Sequence, residues 1–176
     1  MRFNLVDRIL GVEGSRVIRA VKNLTLGEEY LADHFPTFPV MPGVLMLQAL
    51  VETGSWLLRI RDDFRHSVIL LRDAKNVKYG TFMEPGGQML ITVELIDEAG
   101  ELATFKGKGE TANGASTVSA KFTLARANLK DRNPAWDHLD KRIVQQLRDR
   151  YLWLDQHAAA PTAPVGLNGT KVQAAT

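Results

Sequence analysis

The chain has 176 residues, of which 45% are hydrophobic and 24% charged, and its net charge is +2 at neutral pH. That composition supports a single domain with a sizeable core and excludes global disorder, while the small net charge and dispersed basic residues point away from nucleic acid as a partner. The absence of cysteine removes disulfides, thiolate metal sites and cysteine nucleophiles together.

The opening Met1-Arg2-Phe3-Asn4-Leu5-Val6-Asp7 has one basic residue and then an acid before any long apolar run, unlike a signal peptide. No stretch approaches about 20 uninterrupted apolar residues, so no membrane span is expected and a cytoplasmic protein is the default. A strand is predicted over 3–12, a turn at Glu13-Gly14-Ser15, and a second strand over 16–22, where polar and apolar residues alternate with period two. A short helical turn is expected over 27–31. There follows Asp33-His34-Phe35-Pro36-Thr37-Phe38-Pro39-Val40-Met41-Pro42-Gly43, a loop whose prolines hold the backbone extended.

From 44 to about 61 apolar residues cover nearly every side of a helical wheel, the pattern of a buried helix, and Pro42 is well placed in its first turn. Strands are predicted over 66–77, 88–96, 102–110 and 116–127. They are separated by turn sequences at Glu84-Pro85-Gly86-Gly87, Glu98-Ala99-Gly100 and Asn113-Gly114. Asn133-Pro134 suits a helix start, and Trp136, Leu139, Ile143, Leu147, Tyr151 and Leu154 fall at spacings of three and four, an apolar stripe that needs a surface to lie on. Residues beyond His157 are Ala, Pro, Thr and Gly with almost no charge and read as a flexible tail. The expected class is α+β: one curved antiparallel sheet wrapped around a long buried helix over 1–128, a C-terminal amphipathic helix over 129–157, and a tail over 158–176.

The run His34-Phe35-Pro36-x-x-Pro39-Val40-Met41-Pro42-Gly43-Val44-Leu45 resembles the active-site signature of the bacterial 3-hydroxyacyl-(acyl carrier protein) dehydratases of fatty-acid synthesis. Leu5-Val6-Asp7-Arg8-Ile9, Lys22-Asn23-Leu24-Thr25, Pro85-Gly86-x-Gln88-Met89 and Phe105-Lys106-Gly107-Lys108 match in the same order, so the resemblance covers roughly 3–127. It implies the hotdog fold. It also implies a homodimer or an oligomer of dimers with sites at the dimer interface. The substrate is an acyl thioester carried on the phosphopantetheine of acyl carrier protein or on coenzyme A, and no metal or organic cofactor is needed. The family's histidine falls at His34 and its motif glycine at Gly43. Its acid, five positions after that glycine and supplied by the other subunit's helix, falls at Gln48. Phe35, Pro42, Val44 and Leu47 are the expected substrate-binding residues.

The residues bear on the chemistry as follows. His34 suits a base, because a neutral imidazole exists near neutral pH. Gly43 suits an oxyanion donor through its N–H at the start of the buried helix, and equally a tight turn. Gln48 can hold a hydroxyl or a water but cannot deliver a proton, and it reads as well as a polar residue bonded across an interface. Glu52, one turn further on, is a candidate helper acid, or an interface or surface carboxylate. Three functions remain open on the sequence: an acyl-thioester dehydratase, a thioesterase on the same scaffold, and a non-catalytic acyl-binding subunit that takes its acid from another chain.

Overall fold

The computed structural model describes residues 4–155; the expected tail over 158–176 lies outside them. β1 (Arg8–Glu13) and β2 (Val17–Asn23) form a hairpin. The predicted first strand starts late because residues 4–6 lie outside the sheet: Leu5 and Val6 are buried, and the Leu5 N–H turns to a side chain of the long helix. That helix, α1 (Gly43–Arg61), is followed by β3 (Val68–Tyr79), β4 (Gln88–Ala99), β5 (Leu102–Thr111) and β6 (Ser116–Ala127). The six strands form one antiparallel sheet in the order β1-β2-β4-β5-β6-β3, so β3 is an edge.

The sheet curves around α1 in the expected hotdog arrangement. Met46, Ala49, Leu50, Val51, Trp56, Leu57 and Leu58 of α1 are buried against Ile91, Val93 and Leu95 of β4, Phe105 of β5, and Phe122 and Leu124 of β6. A Cβ at Gly54 would stand 3.1 Å from the Phe122 ring, so the missing side chain is what lets helix and sheet approach this closely. Two hydroxyls buried in α1, of Thr53 and Ser55, donate back to the carbonyls of Ala49 and Val51, so neither is left unpaired in the core.

The C-terminal helix expected over 129–157 is α2 (Asp137–Leu154). Two short 3₁₀ turns, Leu129–Asp131 and Pro134–Trp136, occupy the start of the predicted range. The Asn133 side chain accepts from Ala135 N–H at 3.0 Å and caps the second turn rather than the helix itself. Buried Asp140 accepts from the N–H groups of Leu129 and Lys130 and from the Ser67 hydroxyl, tying α2 to the strand-side loop. The apolar stripe lies down as the periodicity predicts: Leu139, Ile143, Leu147 and Tyr151 are half-buried and Leu154 is buried, whereas Trp136 stays exposed. No helix among the described residues is long and apolar enough to cross a membrane.

Candidate active site

The proline-rich loop is held from three sides. Behind it, Lys22, 2% exposed on β2, places its ammonium 2.5 Å from Glu28 and 3.6 Å from Asp7, pinning the chain just before the 3₁₀ turn Glu29–Ala32. That turn hands the chain on through the His34 N–H, which donates to the Tyr30 carbonyl at 3.1 Å. On the far side Met41 N–H donates to the Met83 carbonyl at 2.9 Å, and Met41 and Val40 are buried. The prolines at 36, 39 and 42 leave this segment little freedom to relax otherwise.

Within this frame the His34 ring has a defined tautomer. Nδ1 lies 2.9 Å from the Val40 carbonyl oxygen. A carbonyl only accepts, so Nδ1 carries a hydrogen, and in the neutral ring the lone pair is therefore on Nε2. The half-buried ring opens on a cleft of about 460 Å³ lined by His34, Phe35, Pro42, Gly43, Val44 and Tyr79, among others. Gly43 is the first residue of α1, and neither its N–H nor that of Val44 is taken by a partner among the described residues. Free N–H groups at a helix start, reinforced by the helix dipole, favour a developing negative charge. The imidazole base and the candidate oxyanion donor therefore border the same space.

The far wall comes from residues that sequence reasoning missed: Tyr79, Gly80, Thr81, Phe82 and Thr117. Tyr79 reaches the cleft through a β-bulge. β3 pairs with β6 at Lys75↔Lys121 and next at Lys78↔Ser119, so β3 spends three residues where β6 spends two, with Asn76 at φ 53°. The bulge restores the alternation so that Tyr79, opposite buried Val118, points to the α1 side. Its ring then lies on Gly43, where an added Cβ would stand 2.9 Å from Cδ1 and Cε1. Any side chain at 43 would have to displace this wall. The one available signal was Tyr79-Gly80 itself, an aromatic followed by a breaker at a strand end.

Of the expected substrate-binding residues, Phe35, Pro42 and Val44 line the cleft. Leu47 does not: it is half-buried on α1, packed against the core. Gln48 also lies off the cleft of its own chain, exposed on α1 one turn beyond Val44.

Glu52 is drawn into a different network. One carboxylate oxygen accepts from Leu5 N–H at 2.9 Å and the other meets the Arg150 guanidinium of α2 at 2.7 Å. Arg150 and Arg59 both stand over the Trp56 ring, 5.6 and 5.4 Å from its centroid. Burial pushes the Glu52 carboxyl above its ordinary range, against the opposing pull of the Leu5 N–H and Arg150. Glu52 is thus the anchor for the C-terminal helix and not a lining residue of the cleft. Replacing it by Gln leaves Arg150 without its anion in a site where Glu52 is largely shielded, and we expect a loss of about 2 kcal/mol, or about 4–8 °C in Tm, with kcat/KM unchanged. A thermal melt and a rate assay check this; lost activity at unchanged Tm would return Glu52 to the reaction.

Residues 1–121 match the model of the FabA-like domain family. The chain belongs to the FabA-like family. Among FabA-like relatives, the 3-hydroxyacyl-[acyl-carrier-protein] dehydratase FabZ of Bacillus subtilis (strain 168) is 34% identical over 123 residues, which span 70% of this chain and 86% of that one. The enzyme of the same name from Albidiferax ferrireducens is 37% identical over 126 residues, covering 70% and 83%. Among solved structures, the dehydratase heterocomplex ApeI:P from Xenorhabdus doucetiae matches with a TM-score of 0.61 at 12% identity, over 76% of this chain and 90% of that one. The smu.793 protein of Streptococcus mutans UA159, solved with acetyl CoA, matches with a TM-score of 0.55 at 12% identity, over 73% and 94%. These two likenesses speak for the hotdog fold. The α2 helix, and with it the partner of Glu52, lies beyond the residues that match the FabA-like model.

Proposed function

We propose that this FabA-like protein is a 3-hydroxyacyl-thioester dehydratase in which His34 is the base and Gln48 stands in the acid position. The observation that carries the reading is the contact of His34 Nδ1 with the Val40 carbonyl, which leaves Nε2 as the free nitrogen of a ring lining the cleft that Gly43 borders. With the thioester carbonyl oxygen held by the Gly43 N–H, Nε2 removes a proton from the adjacent carbon. The electron pair moves onto the carbonyl oxygen, then returns to form the carbon–carbon double bond as hydroxide leaves the next carbon. The imidazolium gives its proton to that hydroxide, so water leaves and the base is regenerated. The reaction is redox-neutral and balanced by these groups, so it calls on no metal or organic cofactor.

The working unit in this reading is a homodimer. Phe35, Val44, Tyr79 and Phe82 are exposed around the cleft mouth, and Leu70 and Leu71 are exposed on the edge strand β3, an arrangement that suits pairing with a second copy. In that dimer Gln48 of one protomer faces the site of its partner and orients the substrate hydroxyl by hydrogen bonding. The substrate class is an acyl thioester on a carrier protein or coenzyme A, handled in the cytoplasm. Offering the protein 3-hydroxyacyl and saturated acyl thioesters tests the assignment. We expect enoyl-thioester absorbance from the first and no free thiol from either; thiol release without enoyl product would make the protein a thioesterase instead.

A further inference from the structure

Tyr79 brings more to the cleft than the edge of a ring. Among the lining side chains, those of Phe35, Met41, Pro42, Val44, Met46 and Phe82 have no hydrogen-bond donor. Thr117 is fully buried and its hydroxyl is committed to Met89 Sδ at 3.2 Å. Thr81 is exposed on the loop after β3. The Tyr79 hydroxyl is the donor that remains beside Gly43. The Tyr151 hydroxyl, by contrast, donates to Asp155 at 2.7 Å. That of Tyr79 makes no hydrogen bond among the described residues, and the residue is 51% exposed. Its position is set by backbone on both sides. Before it, Lys78 and Tyr79 itself pair with Ser119 and Val118 of β6. After it, Gly80 N–H donates to the Thr117 carbonyl at 2.9 Å and Thr81 N–H to the Ser116 carbonyl at 2.8 Å. A Cβ at Gly80 would stand 2.3 Å from the Ser116 oxygen, so only glycine permits this approach. The ring edge, Cδ1 and Cε1, lies over Gly43, and the hydroxyl is carried on the ring carbon next to Cε1.

We propose that Tyr79 is a second hydrogen-bond donor to the substrate: its hydroxyl, together with the Gly43 N–H, holds the thioester carbonyl oxygen on which negative charge develops. The proposal rests on the dehydratase reading for the rate it predicts, but not for the contact itself. A phenol donates this bond and keeps its proton, so the balance of the reaction is unchanged. His34 Nε2 still takes the proton from carbon, and the electron pair still moves onto the carbonyl oxygen. Full negative charge exists on that oxygen only after proton removal. Two fixed donors therefore stabilise the enolate more than the neutral carbonyl, which is the difference that accelerates a reaction. The surroundings add to the effect. Most of the lining is apolar, and a hydrogen bond to a developing charge is stronger there than in water. The carbonyl is assigned as the acceptor, ahead of the 3-hydroxyl, because the ring lies on Gly43, where the carbonyl oxygen is held.

Tyr79→Phe tests this. It removes one oxygen and leaves the ring on Gly43. The hydroxyl has no partner in the fold to lose, so Tm should stay within about 1–2 °C of the wild type. With a 3-hydroxyacyl thioester kcat should fall by about 100-fold with KM little changed. Deuterium exchange at the carbon beside the carbonyl should fall with it. A second readout needs no turnover. Butyryl coenzyme A labelled with carbon-13 at the carbonyl lacks a 3-hydroxyl and cannot lose water. Its infrared carbonyl stretch should move to lower frequency on binding the wild type, and by less on binding the variant. A Tyr79-dependent shift in a wild type that turns over no 3-hydroxyacyl thioester would end the dehydratase reading and leave this assignment standing. An active wild type matched by the variant in rate and in carbonyl shift overturns the assignment and leaves the reading standing. A variant that loses elimination alone, with exchange and the carbonyl band unchanged, also overturns it, since the phenol would then serve the leaving hydroxyl.

Discussion

Replacing Gln48 by Glu raises the rate of water loss from a 3-hydroxyacyl thioester by about 100-fold or more. The substitution changes almost nothing in shape. It exchanges an amide, which cannot release a proton at useful pH, for a carboxyl group that can protonate the departing hydroxide. Gln48 is exposed on α1, so the new carboxyl meets no packing obstacle within its own chain. Position 52 does not already supply this proton, because Glu52 is bound to Leu5 and Arg150. The double variant Gln48→Glu with Glu52→Gln should therefore be as active as the single one, and less stable. An unchanged or lower rate in Gln48→Glu, measured by enoyl-thioester absorbance, would count against residue 48 occupying the acid position.

The second large effect is at His34. Replacing it by Ala should lower kcat/KM by about 100- to 10,000-fold, since no other side chain lining the cleft is a base near neutral pH. The cost to folding is small by comparison. The ring is half-buried on a loop and its one hydrogen bond is to the Val40 carbonyl, while the loop is anchored independently by Lys22–Glu28 and by Met41 on Met83. A circular dichroism melt close to that of the wild type, together with the lost rate, separates the chemical role from a structural one.

What the sequence reveals divides along the line between local and long-range causes. The all-round apolar character of residues 44–61 identifies α1 as a buried helix, and the proline-rich run identifies His34 and Gly43, because both signals lie within a few adjacent positions. Leu47 neighbours the motif in sequence, yet it packs against the core and does not line the cleft of its own chain. Tyr79 was missed because its approach to Gly43 depends on a two-against-three bulge that no alternation pattern foretells. Glu52 could be read two ways until α2 brought Arg150 across more than half the chain to meet it, a pairing separated by 98 positions. Within its own chain the acid at 52 pairs with the helix that follows the family domain and does not line the cleft.

The account rests on His34 and the Gly43 N–H acting on one thioester, and the most direct test separates their step from the loss of hydroxide. In D2O, hydrogen at the carbon beside the thioester carbonyl should exchange for deuterium faster than water is lost, because proton removal has its base and its oxyanion donor in place, whereas the departing hydroxide has only the His34 imidazolium, which trades its proton with solvent, as its acid and an amide to orient it. Mass spectrometry of recovered 3-hydroxyacyl substrate reads this ratio. We predict exchange ahead of elimination in the wild type, its disappearance in His34→Ala, and elimination overtaking exchange in Gln48→Glu. Exchange that persists at the wild-type rate in His34→Ala would contradict the account.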